Sequence, residues 1–296
     1  MRVFVTGASG WVGSAVVPEL IQAGHHVVGL ARSDASADAL EAAGAEVHRG
    51  SLDDLDNLRE GAAKSDGVIH LAFVHDFDQY EAANETDRQA IEAMGAVLEG
   101  SERPLVIASG VATTAVGRPA TESDPSAPDF PRSRAATMTL ALAGKGVRSS
   151  VVRLPPTTHG RGDHGFIPTV IQIARQKGLS GHVGDGSNVW SAVHRSDAAR
   201  AFRLALEQAP AGSVWHAVGE QGVPTRTIAE VIGRHLDIPV QSIAPADAVE
   251  HFGWMGVFWG MNAPASSVVT QGRLGWTPTG PGLLEDLEQG HYFRTT

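Results

Sequence analysis

Val3-Phe4-Val5-Thr6-Gly7-Ala8-Ser9-Gly10-Trp11-Val12-Gly13 decides the fold of this chain. A short apolar run meets three glycines spaced Gly-x-x-Gly-x-x-Gly, and Val12, Val16, Leu20 and Ile21 then recur at helical spacing. Gly7 permits a tight turn, Gly10 lets the backbone approach a pyrophosphate, and Gly13 lets the helix pack against the strand. The N–H groups and dipole at the helix start favour phosphate charge. A glycine triplet alone says little. Its place after a strand, before a helix and at the head of a βαβ series makes it a dinucleotide-binding turn. Pro18 lies inside the helical run, which predicts a kink or a late start.

Outward from this turn, apolar strands alternate with helices. Strands are expected at residues 26–31, 46–48, 67–73, 105–109 and 149–154, with helices at 35–43, 55–63, 84–98 and 137–143 between them. Alternation over 150 residues, with strands apolar on both faces, implies a parallel sheet covered by helices on each side. After Pro155-Pro156 the rhythm changes: a Gly/His/Asp-rich loop runs from His159 to Gly165, followed by a helix and a glycine-rich connection. The fold class is therefore α/β, a Rossmann-type doubly wound parallel sheet with a smaller C-terminal substrate lobe. Residues 1–158 form the dinucleotide-binding domain, 186–218 return to it, and 159–296 are mainly the lobe.

Composition narrows the function. The chain has 296 residues, a formal net charge of −10 and no cysteine. Disulfides, thiolate nucleophiles and cysteine-ligated zinc are excluded. A negative balance argues against nucleic acid as a partner. No signal peptide and no apolar run long enough to span a membrane are evident, so the expected location is cytoplasmic and the expected partner a small-molecule substrate. Two histidines and an aspartate in 159–164 invite a metal, but no helical His-x-x-x-His face accompanies them, and no metal is expected.

The end of the second strand selects the cofactor. An NAD site would place an acid there for the ribose 2′-hydroxyl. This chain has Ala31-Arg32-Ser33, where Arg32 and Ser33 suit a 2′-phosphate, so NADP(H) is expected. Asp34 is the competing group, one small loop shift from the ribose.

These stretches together resemble the short-chain dehydrogenase/reductase superfamily in its extended, epimerase/dehydratase-like form. The likeness is carried by Thr6–Gly13, Gly50-Ser51-Leu52-Asp53, His70-Leu71-Ala72, Ile107-Ala108-Ser109, Arg153-Leu154-Pro155, Val193–Asp197 and Leu274-Gly275-Trp276. It implies that Gly7, Ser9, Gly10, Trp11, Val12 and Gly13 hold the pyrophosphate and that Ser51 and Leu52 lie at the adenine. Leu71, Ala72 and Phe73 would line the ribose, with Pro155, Thr157 and Thr158 on the nicotinamide side. Helices 84–98 and 137–143 lie where relatives often dimerise, which leaves a homodimer open.

The likeness also implies a Tyr-x-x-x-Lys pair, and this chain has none. Its two tyrosines, Tyr80 and Tyr292, are followed four residues on by Asn84 and Thr296. The matching segment is Phe130-Pro131-Arg132-Ser133-Arg134, in which Phe130 cannot give a proton and Arg134 keeps its own. Arg134 is expected to hold the cofactor ribose as the lysine does. Ser109 is the fifth-strand hydroxyl, with Gly110 where many relatives carry it.

Other groups must then supply the proton. His75 follows the fourth strand beside Asp76, which would raise its pKa. His159 and His164 lie just after the nicotinamide-side prolines. Trp190, Trp254 and Phe258 are the expected walls of a mostly apolar substrate pocket. The leading reading is an NADPH-dependent reductase of a small, fairly apolar carbonyl or imine, with Ser109 polarising the acceptor and His75, His159, His164 or water giving the proton. The alternatives are a non-catalytic NADP(H) sensor or scaffold and an epimerase/dehydratase-type enzyme.

Overall fold

A computed structural model describes residues 1–74, 80–112, 115–128, 130 and 132–294. Twelve strands occur among them: β1 (Arg2–Thr6), β2 (His26–Ala31), β3 (Glu46–Arg49), β4 (Gly67–His70), β5 (Pro104–Gly110), β6 (Arg148–Leu154), β7 (Thr157–His159), β8 (Ser180–Val183), β9 (Val189–His194), β10 (Ser213–His216), β11 (Glu220–Pro224) and β12 (Val240–Ile243). Seven of them form one sheet in the order β10-β6-β5-β4-β1-β2-β3, and every neighbouring pair is parallel. This is the doubly wound sheet expected.

Alternation along the strands explains its two cores. Val3, Val5, Ile69, Val106, Ala108 and Val152 face one side, under helices Gly13–Gln22 and Arg195–Gln208. Phe4, Val68, Leu105, Ile107 and Val151 face the other, under helices Leu55–Ala63, Tyr80–Leu98 and Ser133–Ala141. The first helix runs from Gly13 to Gln22 with Pro18 inside it.

Strand order reverses between β1 and β4, and a doubly wound sheet binds its ligand at that switch point. Here the two loops touch. A Cβ at Gly7 would lie 2.5 Å from the Ala72 amide nitrogen, and one at Gly13 only 2.0 Å from the Gly7 carbonyl oxygen. The glycines are therefore required by close backbone packing.

The second half of the chain makes a three-stranded sheet, β11-β9-β7, and the pair β12-β8. Around them lies a third core with Trp190, Trp259, Phe252, Met255 and Ile228. Strand β10 returns to the edge of the main sheet, paired with β6, whereas β9 belongs to the smaller one. No helix among the described residues is long and apolar enough to cross a membrane.

Candidate active site

The glycine turn is shaped for an anion. The backbone amides of Trp11, Val12 and Gly13 have no hydrogen-bond partner among the described residues, while Gly10 N–H closes the turn on the Gly7 carbonyl at 2.9 Å. Three unspent donors at a helix start fit a pyrophosphate. Ser9 and Gly10 are exposed there, and Ala8 is buried behind them.

Trp11 fastens this turn to the second half of the chain. Its indole N–H donates to the Thr158 carbonyl at 2.8 Å, and the Arg195 guanidinium lies 4.5 Å over its ring. His164 meets it edge-on at 5.7 Å. Two residues further on, Phe166 opens helix Phe166–Lys177 and contacts Trp190, Trp254 and Phe258 at ring distances of 5.6, 5.8 and 5.2 Å. An aromatic wall is thus tied to the cofactor turn. Trp254 is 47% exposed and Phe258 is partly buried. Trp190 is a correction: at 1% exposure, stacked edge-on against Trp259 and bonded to the Met261 carbonyl, it is core.

At the adenosine end, Arg32 and Ser33 are exposed just past β2. Arg32 makes no ion pair among the described residues. Ser33 is partly spent, since its hydroxyl oxygen caps helix Asp34–Ala42 by accepting from the Ser36 amide at 3.2 Å. The competing acid is engaged: Asp34 pairs with Arg49 at 2.8 Å. Ser51 and Leu52 are half-buried beyond β3, and Leu71, Ala72 and Phe73 follow β4.

The sequence reading did not find the most ordered part of the site. Five of the parallel strands carry a polar residue at, or one residue before, their carboxyl end, on the sheet face opposite helices Gly13–Gln22 and Arg195–Gln208. Thr6 pairs in register with His70, and Ser109 with Arg153 and then His216. All five are buried. The signal was present, because each apolar strand closes on a residue that should not be buried without a partner.

From this row a relay runs outward. Asp87, buried on helix Tyr80–Leu98, takes a hydrogen bond from His70 Nε2 at 3.1 Å. The carboxylate can only accept, which sets the imidazole tautomer, so His70 Nδ1 receives the Thr6 hydroxyl at 2.7 Å. Arg132 reaches the same carboxylate oxygen at 3.5 Å, and its guanidinium lies 4.6 Å over the Phe73 ring. Burial pushes Asp87 up, but the His70 hydrogen bond and the Arg132 charge outweigh it and hold the carboxyl below its ordinary range.

The other expected residues fall as follows. Ser109 is 3% exposed, with its hydroxyl unpartnered. Phe130 lays its ring tip 2.9 Å from where a Gly110 Cβ would stand. Arg134 is a correction: it is exposed, and Arg132 is the inward cation. His159 is a second correction: wholly buried, it donates from Nδ1 to Asp286 at 2.9 Å, so it reaches no solvent or open cleft. Asp286 also takes His291 at 2.9 Å. His164 is exposed against Trp11. Pro155 and Thr157 are buried and Thr158 half-buried beside Trp11. His75 and Asp76 lie outside the described residues. Tyr292 offers no substitute phenol, because burial and Asp163, to which it donates at 3.0 Å, push its pKa far above the usual value. No group of three metal-ligating side chains occurs among the described residues.

The NAD dependent epimerase/dehydratase family matches residues 3–217. A protein of Schizosaccharomyces pombe described as uncharacterized is 50% identical over 99% of this chain and 100% of its own, and one of Saccharomyces cerevisiae 48% over 98% and 99%. A Stigmatella aurantiaca protein named as a 4-hydroxy-2-methyl-3-oxo-4-farnesyl-3,4-dihydroquinoline-1-oxide ketoreductase is 28% identical over 90% of this chain and 84% of its own. Among solved structures, UDP-glucose 4-epimerase of Thermotoga maritima superposes with a TM-score of 0.78 at 19% identity, over 99% of this chain and 98% of that one. With a family match over most of its length and a glycine turn built to hold a pyrophosphate, the chain belongs to the NAD-dependent epimerase/dehydratase family, the extended short-chain dehydrogenase/reductases.

Proposed function

We propose that this chain is an NADPH-dependent reductase of a small, fairly apolar carbonyl or imine. The observation that carries the reading is the aromatic wall of Phe166, Trp254 and Phe258, joined to the cofactor turn through His164 and Trp11. Such a wall suits an apolar substrate and offers nothing to a sugar-nucleotide diphosphate. Three of the lobe's arginines are already engaged. Arg175 is bonded to the Phe293 carbonyl, Arg226 to Glu230 and Arg234 to Glu288. The ketoreductase relative supports the same direction.

NADPH would supply the hydride when bound in the cradle of Trp11, Val12 and Gly13 amides. The chain's own residues orient and enclose: the turn fixes one end, Phe73 and Arg132 border the sheet's carboxyl edge, and the aromatic wall excludes water. Loss of NADPH absorbance across panels of ketones, aldehydes and imines tests the reading. Tight cofactor binding with no turnover on any panel member would instead favour a sensor or scaffold, a reading supported by Phe130 standing in place of a phenol.

Cofactor choice follows from Arg32. Removing a charge-assisted bond to a phosphate costs about 1.5–3 kcal/mol. Arg32→Ala should therefore weaken NADPH roughly 10- to 100-fold while changing NADH by less than about twofold. Equal losses for both cofactors in a fluorescence titration would remove Arg32 from the 2′-phosphate.

A further inference from the structure

We propose that Arg132 is the cation that holds the carbonyl oxygen of the substrate, an assignment that rests on the reductase reading above. Only 15% of its side chain is exposed, yet among the described residues its hydrogen bonding is almost unused. A guanidinium carries five N–H donors. One of them reaches Asp87, at the long distance of 3.5 Å, and the Nε donor is buried with no partner. Buried donors are normally satisfied, and the part of this guanidinium that is still exposed keeps donors for an acceptor that arrives from outside.

Its surroundings say where that acceptor sits. The guanidinium lies over Phe73, three residues past the end of β4, at the carboxyl edge where a doubly wound sheet binds its ligand. On the same face, Ser109 Oγ on β5 and Asp87 Oδ2 are also buried with no partner among the described residues. Phe130, two residues before Arg132, packs on Gly110 beside Ser109. A donor-rich cation and a free hydroxyl thus border one corner of the sheet.

The arginine is also aimed. Asp87 accepts from both Arg132 and His70, and His70 is fixed by Thr6, whose backbone leads into the glycine turn. The relay ties the cation's position to the turn that holds the cofactor. Guanidinium geometry matches a planar oxygen acceptor. Arg132 therefore acts through charge and hydrogen bonds.

Isobutyrate, whose carboxylate presents a charged planar oxygen on a small apolar body, is the probe. Calorimetric titration into the NADP⁺-saturated protein keeps the cofactor's phosphate sites filled, and the Arg132 variants separate this cation from the others. The native protein should bind isobutyrate, and Arg132→Leu should weaken it by at least about tenfold with the affinity for NADP⁺ unchanged. Arg132→Gln, which keeps a polar donor beside Asp87, should show the same loss and decides the matter if the leucine variant does not fold. Absence of isobutyrate binding in the native protein, or equal binding in a folded variant, overturns the assignment. Isobutyrate binding that depends on Arg132, without turnover on any carbonyl, would uphold it and sink the reductase reading alone.

Discussion

Gly7→Ala should abolish measurable cofactor binding and lower the stability of the fold by about 3 kcal/mol. Gly7 has φ +64°, and alanine held there costs about 1–2 kcal/mol in backbone strain alone. The larger part is steric. The new methyl would stand 2.5 Å from the Ala72 nitrogen and 2.7 Å from its Cα, and backbone cannot rotate away as a side chain can. Relief requires β1 and β4 to part at the switch point, which opens the cradle formed by the Trp11, Val12 and Gly13 amides. Gly24→Ala is the control, since Gly24 has φ +84° with nothing within 4 Å. Urea midpoints and NADPH titration separate the two. If Gly7→Ala is no worse than Gly24→Ala, close packing of the loops is not what the glycine serves.

Asp286→Ala is expected to cost about 3 kcal/mol, because it leaves two buried imidazoles without their acceptor. Asp286 is 2% exposed and takes one bond from His159 and one from His291. Asp286→Asn keeps a single acceptor and should recover part of the loss. The effect carries a pH signature. Burial pushes the Asp286 carboxyl up, but the bonds from His159 and His291 win and hold it below its ordinary range. A carboxyl depressed in the folded state contributes its full stability above the unfolded pKa of about 4 and loses it as pH falls through the folded value. The gap between native protein and Asp286→Ala should thus be widest near neutrality and shrink below about pH 4. A gap that stays constant down to pH 3 would show that the carboxylate charge is not what holds His159.

The sheet was legible in the sequence because its evidence is local: glycine spacing, apolar strands and helix punctuation all lie within thirty residues of one another. The site was legible only where it is backbone. Arg134 illustrates why. Counting four residues from Phe130 assumes that a helix already runs through both, but the helix starts at Ser133. Arg134 consequently falls on its solvent face, and Arg132, still outside the helix, folds back over Phe73. His159 looked like an open-loop histidine beside glycines, yet its partner lies 127 residues further along, a distance no sequence window spans. Trp190 was placed by its aromatic character alone, and the alternation of β9 turns it into the core between Phe166 and Trp259. The polar strand ends Thr6, His70, Ser109, Arg153 and His216 were each visible singly. Strand order sets Thr6 beside His70, and Ser109 beside Arg153 and His216, pairings between segments far apart in the chain.

That strand order has a consequence for how the molecule is put together. β10 lies outside β6, and helix Arg195–Gln208 covers the same region with Ala198, Phe202 and Ala205. A chain stopped at residue 158 would leave β6 as a bare edge of unpaired N–H and carbonyl groups beside an uncovered apolar face. Exposed edges of that kind recruit other strands and drive aggregation. The cofactor-holding unit is therefore not a module that ends where the first half ends. It is sealed only when the chain has gone out through the lobe and come back.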